Sequence, residues 1–157
     1  MPNTIWSDHF SIGIPQIDKH HQHLFWLLNR LYDELIRNVP TPYRHSLLDE
    51  YIDNATSHFA AEEYWMRESG FSDLEMHEHE HALFSRRVMR IDKVSICNQR
   101  QQLLLNDTLT FLRNWLQIHI LQADAKFGRF LAADNNRILQ NTGTTTMPRL
   151  GDVAWNG

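Results

Sequence analysis

Residues 74–91 read LEMHEHEHALFSRRVMRI. Leu74, His77, His81, Phe84, Val88 and Ile91 recur at spacings of three and four, the signature of one helix face. Two positions on that apolar line are histidine, where Leu or Ile is expected. Ser72 followed by Glu75 predicts a capping box at the helix start. The stretch also satisfies H-E-x-x-H, the zinc-peptidase pattern, with His77 and His81 as ligands and Glu78 as base. The rest of the chain decides the matter, because a metal site needs ligands from other elements.

Working outward, three further helical patterns appear. One begins near Pro15 and runs to about Asn38, with Ile17, His21, Leu24, Leu28, Leu31 and Leu35 on one face, until Pro40 and Pro42 end it. A second spans roughly 43–67 with Leu48, Tyr51 or Ile52, Ala55, His58 or Phe59, Glu62 and Met66 inward, and Gly70 breaks it. The last covers about 99–128, with Leu105, Leu109, Leu112, Leu116, His119 and Ala123 inward. Four long amphipathic helices with short connections predict an all-α, antiparallel up-and-down four-helix bundle. Ahead of them, Trp6 and Phe10 mark an extended N-terminal arm that packs across the bundle. Residues 1–130 form the expected domain, and 131–157 the expected C-terminal tail or linker, polar and rich in turn residues.

Composition narrows the function. The chain has 157 residues, 42% of them hydrophobic, and a net charge of −4, which supplies neither a basic nucleic-acid surface nor a polybasic membrane arm. No window approaches the ~20 apolar residues of a membrane span. The N-terminus carries no signal-peptide pattern, so the expected compartment is the cytoplasm. A single cysteine, Cys97, excludes an internal disulfide and a cysteine-rich metal site. Ten histidines are the outlier. Any metal is therefore held by nitrogen and oxygen.

A buried ionisable group is costly unless paired or metal-bound. One inward histidine is ordinarily a satisfied core residue. Five inward ligand-type residues, His21, His58, Glu62, His77 and His81, are a pattern. His58/Glu62 and His77/His81 are each four apart, ~40° around a helix and about 6 Å from one another, so each pair converges. His119 and Asp124, five apart, lie ~140° apart on an ideal helix, which suits a carboxylate set to one side and bridging two ions. The peptidase reading lacks a third downstream ligand and a sheet-edge cleft, and it leaves His21, His58, Glu62, His119 and Asp124 unexplained. His79 lies ~200° from His77 and faces solvent, and Glu78 and Glu80 fit the charged outer face. The pentapeptide match is accidental.

Seven ligands exceed one zinc site and suit two ions sharing bridging carboxylates. Imidazole-rich ligation accommodates iron, copper, zinc or nickel. The set is richer in neutral nitrogen than the glutamate-dominated di-iron bundles, where Glu-x-x-His repeats on two helices. Fewer anionic ligands favour holding O2 reversibly over cleaving its O–O bond.

Four blocks, one per helix, carry a family resemblance: Ile17-Asp18-Lys19-His20-His21-Gln22-His23-Leu24-Phe25, His58-Phe59-Ala60-Ala61-Glu62-Glu63, His77 through His81 with Phe84, and Trp115-Leu116-Gln117-Ile118-His119-Ile120 leading to Asp124. Together they resemble the bacterial hemerythrins. The resemblance implies two iron ions with a bridging oxo or hydroxo group. His77, His81 and His119 would hold one iron. His21 and His58 would hold the other, which binds O2 as hydroperoxide, and Glu62 and Asp124 would bridge the pair. It also implies that Trp115, Leu116 and Ile120 wall the O2 pocket. Where the family usually has Gln, this chain has His20, so His20 or His21 fits the first ligand by spacing. The all-leucine line after His21 favours His21, and leaves His20 as a hydrogen-bond partner or a modifier of access.

The implied function is reversible O2 binding for storage, delivery or sensing. An alternative is the O2- or redox-sensing domain of a larger signalling protein, with residues 131–157 leading to an output domain. A di-iron oxidase or peroxidase is a third reading, against which the ligand balance argues.

Overall fold

The computed structural model describes residues 4–36, 41–91 and 102–141. A 3-10 turn, Asp8–Phe10, precedes α1 (Pro15–Ile36), α2 (Thr41–Glu68), α3 (Leu74–Met89) and α4 (Gln102–His119). A π-helical segment, Ile120–Asp124, then leads directly into α5 (Ala125–Asn141). Cys97 and the stretch beyond Asn141 lie outside the described residues, as do the side chains of Leu35 and Leu105.

Pairings across the helices show their directions. On α1 and α2, His20 faces Trp65 and Arg30 faces Glu50, so the two run antiparallel. On α2 and α3, Arg67 meets Glu78, and Phe59 meets Phe84. On α3 and α4, His77 meets His119 while Phe84 meets Phe111. With α1 also packed on α4, the four main helices close a four-helix bundle with up-and-down order.

The expected inward stripes are the buried ones. Ile17, His21, Leu24, Leu28 and Leu31 are all buried on α1, and Leu109, Leu112, Leu116, His119 and Ala123 on the fourth helix and its continuation. On α2 the side chains of His58 and Phe59 are both buried, as neighbours on a broad core-facing stripe. The apolar core falls into two clusters. The larger runs from Leu24 and Phe25 through Phe59 and Phe84 to Leu116 and Ile120. The smaller holds Ile14, Ile17, Trp65, Met66, Phe71, Phe127 and Leu131 at the other end. His21, His58, Glu62, His77, His81, His119 and Asp124 form a buried polar layer between them.

Local chemistry sets the ends of these elements. Pro15 occupies the first position of α1, where its missing N–H costs nothing. Asp18 in that first turn accepts from the Ile12 N–H at 2.9 Å and the Ser11 hydroxyl at 2.7 Å, which latches the arm to α1. Farther out, Asn29 exchanges two 3.0 Å bonds with the Thr4 backbone. The arm thereby buries Phe10 and lays Trp6, half-buried, against the core. Gly128 faces it from α5: a Cβ there would fall 2.2 Å from the Ile12 carbonyl oxygen, so only glycine permits this approach.

α2 ends in a Schellman motif. Phe71 N–H donates to the Met66 carbonyl and Gly70 N–H to that of Arg67, with Gly70 at φ +70. Phe71 then packs with Met66 in the smaller cluster, which fixes the α2–α3 turn. The capping box predicted at Ser72 and Glu75 does not form. Asp73 is the N-cap of α3, without a side-chain cap bond, and the Ser72 hydroxyl turns instead to the Asp73 carboxylate at 3.3 Å. Helical structure also continues to Asn141, past the end near residue 128 that the pattern predicts, because Phe127 and Leu131 extend the apolar face.

Candidate metal centre

The polar layer takes one ligand pair from α2, one from α3, a histidine from α1, and His119 and Asp124 from the fourth helix and its π segment. The π segment resolves the awkward spacing of that last pair. An α-helix stacks residues four apart, whereas a π turn bonds i to i+5 and stacks residues five apart. The Ala125 N–H indeed donates to the Ile120 carbonyl, five residues back. This turn brings Asp124 Oδ1 to 3.1 Å from His119 Nε2, on one face. The expectation of a carboxylate offset on an ideal helix is thus replaced by a local change of helix type.

Every histidine of the layer presents Nε2 inward. His58 Nε2 lies 3.3 Å from Glu62 Oε2, and His77 and His81 Nε2 lie 3.6 and 3.5 Å from the same oxygen. His21 Nε2 is 3.1 Å from Asp124 Oδ2 and 3.8 Å from Glu62 Oε1. His77 Nε2 is 3.4 Å from Asp124 Oδ1. Among the described residues, two sets of ligand atoms each fall within 4.8 Å of one another: Glu62, His77, His81 and His119, and His21, His58, Glu62 and Asp124. Glu62 belongs to both.

Whether a cation fits can be judged from the atoms themselves. Both oxygens of Glu62, both of Asp124, and Nε2 of His21, His58 and His77 are buried without a hydrogen-bond partner among the described residues. Native structures satisfy nearly all such atoms, and a converging set of unsatisfied nitrogens and carboxylates is what a bound cation accounts for. The titration of the metal-free layer agrees. Burial pushes His58 down, His77 to about 4 and His81 to about 2, so all three are neutral, with His81 Nε2 2.9 Å from His119 Nε2. Burial and the neighbouring Asp124 raise Glu62 well above the usual carboxylate range. Burial opposes charge on Asp124 and His119 too, but their mutual attraction wins: Asp124 is held low, and His119, aided by Glu80, rises to about 9.

A second ring of partners fixes the imidazoles from behind. His81 Nδ1 lies 2.7 Å from Glu63 Oε1, and His119 Nδ1 lies 2.9 Å from Glu80 Oε2. Helical periodicity singles out neither carboxylate, and it puts Glu80 on the charged outer face. Its backbone is there, but it follows His77 by three residues, and its carboxylate reaches back to the layer. That spacing was the available signal. His79 is exposed, and Glu78 pairs with Arg67 at 2.6 Å, away from the layer. His20 stays outside the converging set: its Nδ1 lies 3.4 Å from His58 Nδ1, and its ring stacks on Trp65.

Leu116 and Ile120 are buried in the larger cluster beside the layer. Trp115 is half-buried and stacks on His119 at 4.4 Å, with Phe59, His81 and Phe84 as its other ring neighbours among the described residues. It therefore lies against the three-histidine set. The tryptophan beside His21 is Trp6 of the arm, at 6.3 Å between rings. A cleft lined by Phe71, Asp73, Met76, Glu80, Ala123 and Lys126 reaches His77 from the surface.

Comparison with known proteins agrees with this geometry. The family model described as the hemerythrin HHE cation binding domain matches residues 12–131. A bacteriohemerythrin of Clostridium acetobutylicum is 29% identical over 126 residues, covering 78% of this chain and 97% of its own. One from Methylococcus capsulatus is 30% identical over 135 residues, covering 79% and 92%. A crystal structure of wild-type hemerythrin superposes with a TM-score of 0.65 at 25% identity, over 80% of this chain and 95% of that one.

Proposed function

The chain belongs to the hemerythrin HHE cation-binding family, and from that premise we propose that its polar layer holds two iron ions and takes up O2 reversibly. His77, His81 and His119 would hold one ion, His21 and His58 the other, and Glu62 and Asp124 would span both. The observation that carries this reading is the pair of four-residue sets sharing Glu62. When bound, the two irons supply the two electrons that O2 accepts and returns.

The remaining work falls to the chain itself. His58, His77 and His81 present neutral imidazoles because burial suppresses their protonation. Glu63 and Glu80 orient His81 and His119. Trp6, with Phe10 of the arm packed on it, covers the His21 half, and Leu116 and Ile120 would wall the O2 pocket from the core side. Excluding water withholds the protons that would turn reversible binding into irreversible oxidation.

Storage, delivery and sensing share this chemistry, and a cytoplasmic oxygen-binding module is the role we assign. No described helix is long and apolar enough to cross a membrane. The test is metal content of anaerobically purified, reduced protein, followed by visible spectra with and without O2. Two irons per chain and a band that appears with O2 and fades on its removal support the reading. Sustained O2 consumption with added reductant would instead indicate an oxidase.

A further inference from the structure

We propose that His20 is the positioning residue for His58, and that as an uncharged partner it makes the His21/His58 position the weaker of the two metal sites. The inference rests on the two-ion reading above. It starts from proton accounting. A histidine that gives its Nε2 lone pair to a cation carries its proton on Nδ1, and that N–H needs an acceptor. In the three-histidine set two of the acceptors are carboxylates, Glu63 for His81 at 2.7 Å and Glu80 for His119 at 2.9 Å. Those lengths are those of charge-assisted bonds.

The two-histidine set differs. His58 Nδ1 faces the Nδ1 of His20 at 3.4 Å, with the rings nearly perpendicular at 89°. Two N–H groups cannot face each other, so His58 donates and His20 accepts, keeping its own proton on Nε2. Trp65, stacked on His20 at 6.0 Å, and the helical backbone beside His21 hold the acceptor ring in place. His21 Nδ1 has no hydrogen-bond partner among the described residues. An anionic acceptor raises the basicity of a ligating imidazole more than a neutral one does. The set that contains the carboxylate-backed His81 and His119 is therefore the stronger donor set, and His20 sets the orientation but not the charge on the other side.

Zinc, which is redox-silent, tests this on the full-length chain by stepwise chelator competition combined with 15N spectra of the histidine side chains. Wild-type protein should bind two zinc ions, one tighter than the other, with the His58 proton on Nδ1. Removing the acceptor in His20→Leu should weaken the looser ion roughly 10–100-fold and leave the tighter one unchanged. His20→Gln, whose amide oxygen also accepts, should stay close to wild type, and His20→Glu should tighten the looser ion. Equal weakening of both ions in His20→Leu, no weakening of either, or a His58 proton on Nε2 overturns the proposal. If His20→Leu does not fold, the Gln and Glu variants and the wild-type spectrum decide it. A wild-type chain that binds fewer than two zinc ions refutes the two-ion reading itself, whereas two ions with an unaffected His20→Leu refute only the role of His20.

Discussion

The two halves of the polar layer use the same side-chain types and meet the outside differently. Behind the three-histidine half stand Glu63 and Glu80, the latter 42% exposed, and a surface cleft reaches His77. The two-histidine half has a neutral and aromatic backing. His21 and His58 are 0% and 1% exposed, backed by the His20 imidazole and covered by the arm through Trp6. Ligands alone fix where the cations sit. What stands behind each ligand decides which half is polarised by carboxylates and which is backed by a neutral ring and an aromatic cover.

Glu62 is where the comparison breaks most completely, because its oxygens serve both halves. Glu62→Ala should lose both ions, with metal content falling from two per chain toward zero while the apolar clusters keep the protein helical. Retention of one full equivalent in the three-histidine half would show that the halves are independent and that Glu62 does not bridge.

Acid should expose what the halves share. In the metal-free protein His58, His77 at about 4 and His81 at about 2 all sit below the ordinary value of 6.5, as burial disfavours their charged forms. Between 6.5 and those values the unfolded chain binds more protons than the folded one, so stability falls as pH falls. Glu62, raised by burial and Asp124, and Glu63, raised by burial, act in the opposite direction, against four histidines once His20 at about 4 is included. His119 contributes stability that is full below 6.5 and lost as pH rises through about 9. Thermal melts of the metal-free protein should therefore show Tm falling steadily from pH 6.5 to 5; a flat profile would mean these histidines are not buried neutral without metal.

How much of this was legible in the sequence depends on which distances helical periodicity fixes. His21, Glu62, His77 and His81 could be read because i,i+4 spacing puts ligand-type residues on a face otherwise filled by leucine. The bundle followed from the same stripes. Asp124 was nameable as a ligand, but its approach to His119 was not, since a π turn has no signature in the apolar pattern. Glu80 was hidden because its backbone lies on the polar side while its flexible side chain reaches inward. Trp6 was placed in the arm, yet its position beside His21 depends on the Asp18 latch and on the absence of a Cβ at Gly128, both long-range facts. Trp115 shows the converse: the resemblance implies a place in the O2-pocket wall, at the His21/His58 ion, whereas its ring stacks on His119.

The apolar core beside the layer should control how fast bound O2 is lost to oxidation. Leu116 is 2% exposed, and truncating it opens space that water can enter. Leu116→Ala should accelerate autoxidation of the O2-bound protein by about tenfold, since the apolar shell of a metal site controls solvent access. The decay of the O2-dependent visible band measures this directly. An unchanged rate removes Leu116 from the wall.

The two tryptophans offer the finest discrimination. Trp6 lies beside His21, and Trp115 stacks on His119, so the pair samples one aromatic on each half at similar burial. If O2 is held at the two-histidine half, Trp6→Ala should raise the autoxidation rate a few-fold and Trp115→Ala should raise it less. Trp115→Ala also removes packing against Phe59 and Phe84, so it should cost more stability than Trp6→Ala, which lies at the edge of the core. Autoxidation and Tm should thus rank the two variants in opposite orders. Should both measurements rank them the same way, general loosening of the bundle would explain the oxidation, and Trp6 would have no special role beside His21.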